Sequence, residues 1–242
     1  MLFARLKKLA KQLPFAFTQN QRYDLLTRRI IKQACTPHSC CVDAGAHVGG
    51  VLDLFLRAAP EGFHHAFEPV PELYQFLQHR YGGKRNCRIY PLALSDKNGT
   101  SQFNHVVSNP AYSGLKKRRY DRRGEKDTVI EVETARLDDV IGMARAVRVI
   151  KIDVEGGEMD VLRGATRILN AFHPLVIFEF GIGGSDMYGT TPDMLFSFFE
   201  QYDYAISLMD DYLGSKPALT RNALNDQFYG KKNYYFVAHQ RT

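Results

Sequence analysis

Five short runs of this 242-residue chain place acids and glycines where apolar segments end. The first is Val42 to Gly50, VDAGAHVGG, an apolar strand running into a glycine-rich turn. Glycine there lets the backbone approach a ligand, and a following helix adds unpaired N–H groups. The pattern is not G-x-G-x-x-G. Its acid, Asp43, stands before Gly45 and Gly49, where a dinucleotide fingerprint requires none. That placement suits an amine-bearing or cationic ligand better than a pyrophosphate. The second run, AFEPVP (66–71), puts Glu68 at the end of the next apolar segment. A carboxylate there can accept both hydroxyls of a ribose, as in doubly wound nucleoside-binding folds. The third, ALSD (93–96), ends in Ser95 and Asp96, which either face a purine amino group or form an ordinary turn.

The fourth run is KIDVEGGE (151–158). Asp153 and Glu155 point the same way if the strand persists through them, at the carboxyl end where open α/β sheets bind ligands. With Lys151 they could bind, orient or deprotonate a hydroxyl. Glu158 reads as an acid in the first turn of the next helix. The fifth run, FEFGIGG (178–184), sets Glu179 inside a very apolar strand, so its charge needs a partner or a function. Asp153, Glu155 and Glu179 could also form an oxygen site for a divalent ion.

Alternating elements must position these groups. The hydrophobic spacing predicts a helix over Tyr23 to Ala34, a strand over 40–44, a helix over 49–59 stopped by Pro60, and a strand over 63–67. A helix over 71–81 opens on Pro71 and closes at Gly82-Gly83. A third strand follows over 88–94. Further strands are expected over 100–107, 128–134, 147–152 and 175–180, with helices over 157–170 and 192–200. Late strands are expected over 204–209 and 234–238. Strand–helix alternation implies a parallel sheet with helices on both faces. Residues 108–126, which hold Lys116, Lys117, Arg118, Arg119, Arg122 and Arg123, read as a long mobile loop beside or over a site.

Taken together, VDAGAHVGG (42–50), FEPVPELYQFL (67–77), ALSD (93–96), IKIDVEGGEMDVLRGA (150–165) and FEF (178–180) resemble the FkbM-type S-adenosylmethionine-dependent methyltransferases. The resemblance implies an α/β class I methyltransferase fold, a Rossmann-like doubly wound sheet of seven strands whose last strand is antiparallel. It gives residues 39–242 to the methyltransferase domain and 1–38 to a helical extension. It implies S-adenosyl-L-methionine as cofactor, with Asp43, Gly45 and Gly49 at its methionine end, Glu68 on its ribose, and Ser95 or Asp96 near its adenine. His47 stands where the family usually has Asn; it could bond the cofactor or face the acceptor. Asp153 and Glu155 would face the transferred methyl and the acceptor hydroxyl, which makes them the first candidates for a general base, with His47 and Glu179 behind them. The acceptor expected is a hydroxyl of a sugar or secondary metabolite. In length the chain is similar to the rhizobial 2-O-methyltransferases that act on the fucose of lipochitooligosaccharide nodulation factors.

Composition bounds the alternatives. Apolar residues make up 45% and charged residues 24%, which excludes a disordered or low-complexity chain. No apolar window is long enough to span a membrane. The N-terminal run, with Leu2, Leu6, Leu9 and Leu13 among four basic residues, reads as a helix capping the domain, and contact with a membrane surface is open to it. The net charge of +6 permits nucleic acid, but no aromatic-rich RNA motif accompanies the basic run, so none is expected. A nicotinamide-dependent oxidoreductase is the rival enzyme, opposed by the missing third glycine. Cys35, Cys40, Cys41 and Cys87 lack metal-site spacing and read as thiols of a reducing, cytoplasmic compartment.

Overall fold

The structure, a computed structural model, describes residues 18–120 and 124–241. The expected N-terminal helix over Met1 to Phe17, and Arg122 and Arg123 of the basic run, lie outside them.

Helix α1 (Gln19–Ala34) starts where Thr18 accepts the Gln21 N–H and the Gln21 side chain returns a bond to the Thr18 backbone, a capping box. Strand β1 (Cys40–Ala44) is buried at every position, as expected of a parallel strand covered on both faces. Helix α2 (Gly50–Ala58), strand β2 (His64–Phe67), helix α3 (Pro71–Tyr81) and strand β3 (Cys87–Tyr90) follow. Farther on come β7 (Val147–Ile152), β8 (Leu175–Glu179), β9 (Tyr204–Leu208) and β10 (Tyr235–Gln240). These strands form one sheet in the order β3-β2-β1-β7-β8-β10-β9. β10 is antiparallel to both its neighbours, and the pairs among the other five central strands are parallel. The seven-strand sheet with its antiparallel last strand is the expected one.

Side chains alternate between two apolar layers, as the strand period of two requires. Val42, Ile150, Ile152, Phe178 and Phe236 face one layer, filled by Leu162, Ile168 and Phe199. Cys41, Val149, Ile177 and Val237 face the other, filled by Phe55 and by Tyr23, Leu26, Ile30 and Ile31 of α1. Helix α1, read above as part of an extension, is therefore built into the core. Cys40 and Cys41 part to opposite layers, and all four cysteines are free thiols. Among the described residues no helix is long and apolar enough to cross a membrane.

Three elements depart from the expectation. The strand expected over 88–94 divides at Pro91, which has no N–H to continue a ladder. Its second half, β4 (Leu92–Leu94), leaves the main sheet and joins a separate one, β4-β6-β5, with β5 (Gly99–Val106) and β6 (Asp127–Ala135). The helix expected over 157–170 divides into Glu158–Arg163 and Thr166–Phe172. Between them Gly164 lies so close to the Ser95 carbonyl that a Cβ would come within 2.1 Å of its oxygen. The basic segment carries a short 3-10 turn, Pro110–Tyr112, and bridges back to β5 through Asn104 and Gly114.

Candidate active site

The sheet order reverses between β1 and β7, and ligands of open α/β sheets bind outside the carboxyl ends of strands at such a point. A cavity of about 180 Å³ opens there. Its floor comes from Gly45, His47, Glu68, Asp153 and Glu155, and its roof from Pro110, Ala111, Ser113 and Leu115.

The turn after β1 is shaped by close approach. Gly45 (φ +83°) and Ala46 both donate to the Phe67 carbonyl, at 3.0 and 2.9 Å. A Cβ on Gly45 would come within 1.9 Å of the Asp153 carbonyl oxygen. Gly49 (φ +81°) caps α2. His47, also left-handed at φ 49°, points its N–H at Glu68 Oε2, 2.8 Å away. Val70 N–H reaches Glu68 Oε1 at 2.9 Å. Glu68 is thus fixed by two backbone donors while lone pairs on both oxygens stay available. It is 4% exposed, and burial pushes its carboxyl up to about 7.

Asp43 is 2% exposed, and its Oδ2 is buried with no hydrogen-bond partner. Burial carries its carboxyl up to about 7, against the pull of Lys151 and with the push of Asp153 and Glu68. Asp153 behaves oppositely. Burial alone would raise it, but Lys151, Tyr235 and Glu179 together draw it down to about 2. Its N–H donates to the Ala44 carbonyl at 3.0 Å, which ties the ends of β1 and β7. Glu179 is pushed well above the usual range, first by burial and then by Asp153 and Glu158. Burial thus drives Glu179, unlike Asp153, toward its protonated form. Burial lowers His47 below the usual imidazole value, with Asp153 opposing, which favours the neutral ring.

The strand does not persist to Glu155, as the sequence reading required for the two acids to align. β7 ends at Ile152, and Glu155 sits in a left-handed turn at φ 60°. That turn brings the acids together by another route. Carboxylate oxygens of Asp153, Glu155 and Glu179 lie within 4.8 Å of one another. Glu158 closes the same turn, accepting from Val154 and Gly156 N–H at 3.2 and 3.1 Å.

Arg118 is where the basic run departs most from a solvated loop. Its side chain is only 10% exposed. Nη1 pairs with Glu155 and stands 4.0 Å from Glu179, and the guanidinium lies over the Tyr112 ring at 5.0 Å. The roof is thus pinned to the carboxylates of the floor, and a cation already stands among them.

Ser95 and Asp96 do not reach the cavity wall. Ser95 is buried against β6, its N–H on the Ala135 carbonyl at 2.9 Å, and Asp96 is exposed. The wall on that side is Leu92, Ala93, Leu94 and Phe103. The division at Pro91 explains the shift, since it moves the end of the main-sheet strand to Tyr90. Tyr235 and Tyr188 carried no signal in the sequence. Tyr188 lines the cavity and accepts the Lys116 N–H at 2.8 Å, while Tyr235 donates to Asp153.

Comparison with known proteins gives a family and a fold. Residues 43–206 match the family described as the methyltransferase FkbM domain. The 2-O-methyltransferase NoeI of Sinorhizobium fredii is 27% identical over 159 residues, covering 59% of this chain and 63% of that protein. Methyltransferase 1 of Beauveria bassiana is 29% identical over 154 residues, covering 52% and 58%. The match therefore spans about six tenths of the length of these curated relatives. Among solved structures, the methyltransferase FkbM of Methylobacillus flagellatus KT superposes with a TM-score of 0.51 at 17% identity, over 84% of this chain and 44% of that one. A putative rRNA methylase of Clostridium thermocellum gives 0.50 at 8% identity, over 95% and 99%, which shows the class I methyltransferase fold alone. With its family match over 43–206 and every matched motif except ALSD at the carboxyl edge of the sheet, the chain belongs to the FkbM methyltransferase family.

Proposed function

We propose that the protein is an S-adenosylmethionine-dependent O-methyltransferase acting on a hydroxyl of a sugar or related secondary metabolite. The observation that carries this reading is the convergence of Glu68, Asp153 and Glu155 on one small cavity at the sheet's reversal point, with Asp43 buried two residues before the cavity-lining Gly45. The residues fit the cofactor. Asp43 Oδ2 and Asp153 Oδ1 are buried oxygens without a hydrogen-bond partner among the described residues, Gly45 lines the cavity with bare backbone, and Glu68 keeps lone pairs free for two hydroxyls. When bound, the cofactor supplies an electrophilic methyl group, and the protein's work is alignment and exclusion of water.

In this reading Asp43 and Asp153 meet the ammonium end and Glu68 the ribose. Asp153, drawn down to about 2, is too weak a base to take a proton at neutral pH, and burial drives Glu179 toward its protonated form. With Glu68 given to the ribose, Glu155 is the remaining cavity carboxylate, paired with Arg118 of the roof, and in this reading it takes the acceptor's proton. His47 stands second. A sugar 2-hydroxyl, as on the fucose of an amphipathic glycan, is the narrower form, supported by the likeness to the 2-O-methyltransferase relative. The test is incubation with labelled S-adenosylmethionine and glycan extracts, read by mass spectrometry. Absence of label in every hydroxyl-bearing fraction, with label in nucleic acid instead, would overturn it.

Two outcomes concern binding alone. Glu68→Gln removes the charge that receives the ribose hydroxyls, and affinity for S-adenosylhomocysteine should fall roughly tenfold or more, since each bond to a charged acceptor contributes about 1.5–3 kcal/mol. Calorimetry showing unchanged affinity would remove Glu68 from the ribose. The second is pH dependence. Asp43 and Glu68 are pushed up to about 7, and a cationic, hydroxyl-bearing ligand favours their ionised forms. Protons therefore compete below that value. Affinity should rise with pH up to about 7 and level above it, by about tenfold per unit for each carboxylate involved. A flat profile would mean that neither acid titrates on binding.

A further inference from the structure

A lysine on a central strand of a parallel sheet needs an explanation, because burying an ammonium is costly unless it is paired and hydrogen-bonded. Lys151 is 3% exposed. Its Nζ donates to Asp153 Oδ2 at 3.1 Å and to the Tyr235 hydroxyl at 3.2 Å, and it lies 4.7 Å over the Tyr235 ring. The Tyr235 hydroxyl in turn bonds Asp153 Oδ2. An ammonium can only donate, so the tyrosine oxygen accepts from Lys151 and its proton turns to Asp153. The triangle closes with one sense of hydrogen bonding. Tyr235 makes this contact from β10, across the intervening β8, where it pairs in register with Glu179.

The consequence falls on the other carboxylate oxygen. Oδ2 receives both of these donors and the Glu179 carboxyl also bonds Asp153, while Oδ1 is buried and meets no nitrogen or hydroxyl donor among the described residues. Around the adjacent turn stand Asp43, Glu68 and Asp153, and the positive charge that acts on both Asp43 and Asp153 is Lys151. Three carboxyls stand together where the Gly45 turn meets Asp153, and Lys151 acts on two of them.

We infer that Lys151 and Tyr235 are positioning residues that lock Asp153 by Oδ2 so that Oδ1 receives an N–H of the ammonium at the methionine end of the cofactor. This rests on the cofactor reading above. An ion pair that served packing alone would satisfy both oxygens or leave the free one in water. Here the free oxygen is enclosed and belongs to a cavity-lining residue. The hydroxyl of Tyr235 therefore acts through Asp153 and not on the ligand itself.

The experiment uses calorimetry with two probes, S-adenosylhomocysteine and 5′-methylthioadenosine, which lacks the amino-acid end. Wild-type binding is measured first. If neither probe binds, the cofactor reading fails, and the ammonium assignment with it. If both bind, Tyr235→Phe should weaken S-adenosylhomocysteine roughly three- to tenfold and leave 5′-methylthioadenosine unchanged, because one of the donors that orient Asp153 is gone. Asp153→Asn should weaken the first probe by more. In the double variant the Tyr235→Phe effect should vanish, since a residue acting through Asp153 has nothing left to position. The inference is overturned if Tyr235→Phe weakens both probes equally, or if its effect persists undiminished beside Asp153→Asn. Tyr235→Phe keeps the buried ring and the Lys151–Asp153 pair, so it should fold. Lys151→Met leaves a buried charge unpaired, and its melting temperature should fall while Tyr235→Phe stays near wild type.

Discussion

Replacing Gly45 by alanine should lower the melting temperature by roughly 10 °C and weaken S-adenosylhomocysteine by about a hundredfold or more. Two costs combine. At φ +83° an L-residue's Cβ crowds its own carbonyl, about 1–2 kcal/mol. The new methyl would also stand 1.9 Å from the Asp153 carbonyl oxygen, which no real contact tolerates. That carbonyl cannot retreat freely, because the Asp153 N–H is bonded to Ala44 and β1 and β7 are paired along their length. The strand ends must separate, and the total falls among the larger single-residue losses, about 3–5 kcal/mol, with 2–4 °C per kcal/mol for a domain this size. Separation also moves Asp153 and Glu68 relative to Asp43, which explains the larger loss in binding. Gly50→Ala is the control. A Cβ there meets nothing within 4 Å, so that variant should melt and bind like wild type. Should Gly45→Ala retain affinity within a few fold, the turn is not where the ligand lies.

Much of this site could be read before the fold was known, for identifiable reasons. Gly45, Glu68 and Asp153 follow apolar strands directly, and a parallel sheet delivers all such strand ends to one edge. The order of elements then places them together. Ser95 and Asp96 stand off the cavity wall because Pro91 reroutes the chain into a second sheet, and a strand that changes sheets looks continuous in hydropathy. Residues 108–126, read as a loop beside or over a site, do supply the cavity roof, but no local pattern showed that Arg118 would be largely enclosed by pairing with acids far away in sequence, Glu155 and Glu179. Tyr235 could not be found at all. Its role depends on β10 entering beside β8 in reverse, a contact over 82 residues that no local pattern encodes. Glu155 was placed correctly beside Asp153 on a wrong premise, since a left-handed turn and not a continued strand brings it there.

That turn bears on the identity of the base. A non-glycine residue held at positive φ is uncommon and costs of order 1–3 kcal/mol, and such residues cluster where geometry serves chemistry. Glu155 and His47 both qualify, at 60° and 49°. The two can be separated cleanly. Glu155→Gln keeps size and shape, and Asn at position 47 suits the left-handed backbone better than histidine does. Both variants should fold and bind S-adenosylhomocysteine like wild type. With the acceptor recovered from the labelling assay, Glu155→Gln should lower kcat by about 10²–10⁴, the usual contribution of a general base. His47→Asn should stay within a few fold. The asymmetry follows from the surroundings. Glu155 lines the cavity among the other acids and beside Arg118, whereas burial weakens the His47 imidazole as a base. If His47→Asn shows the large loss and Glu155→Gln does not, the proton goes to His47, and Glu155 is left as the carboxylate that anchors Arg118 and the roof.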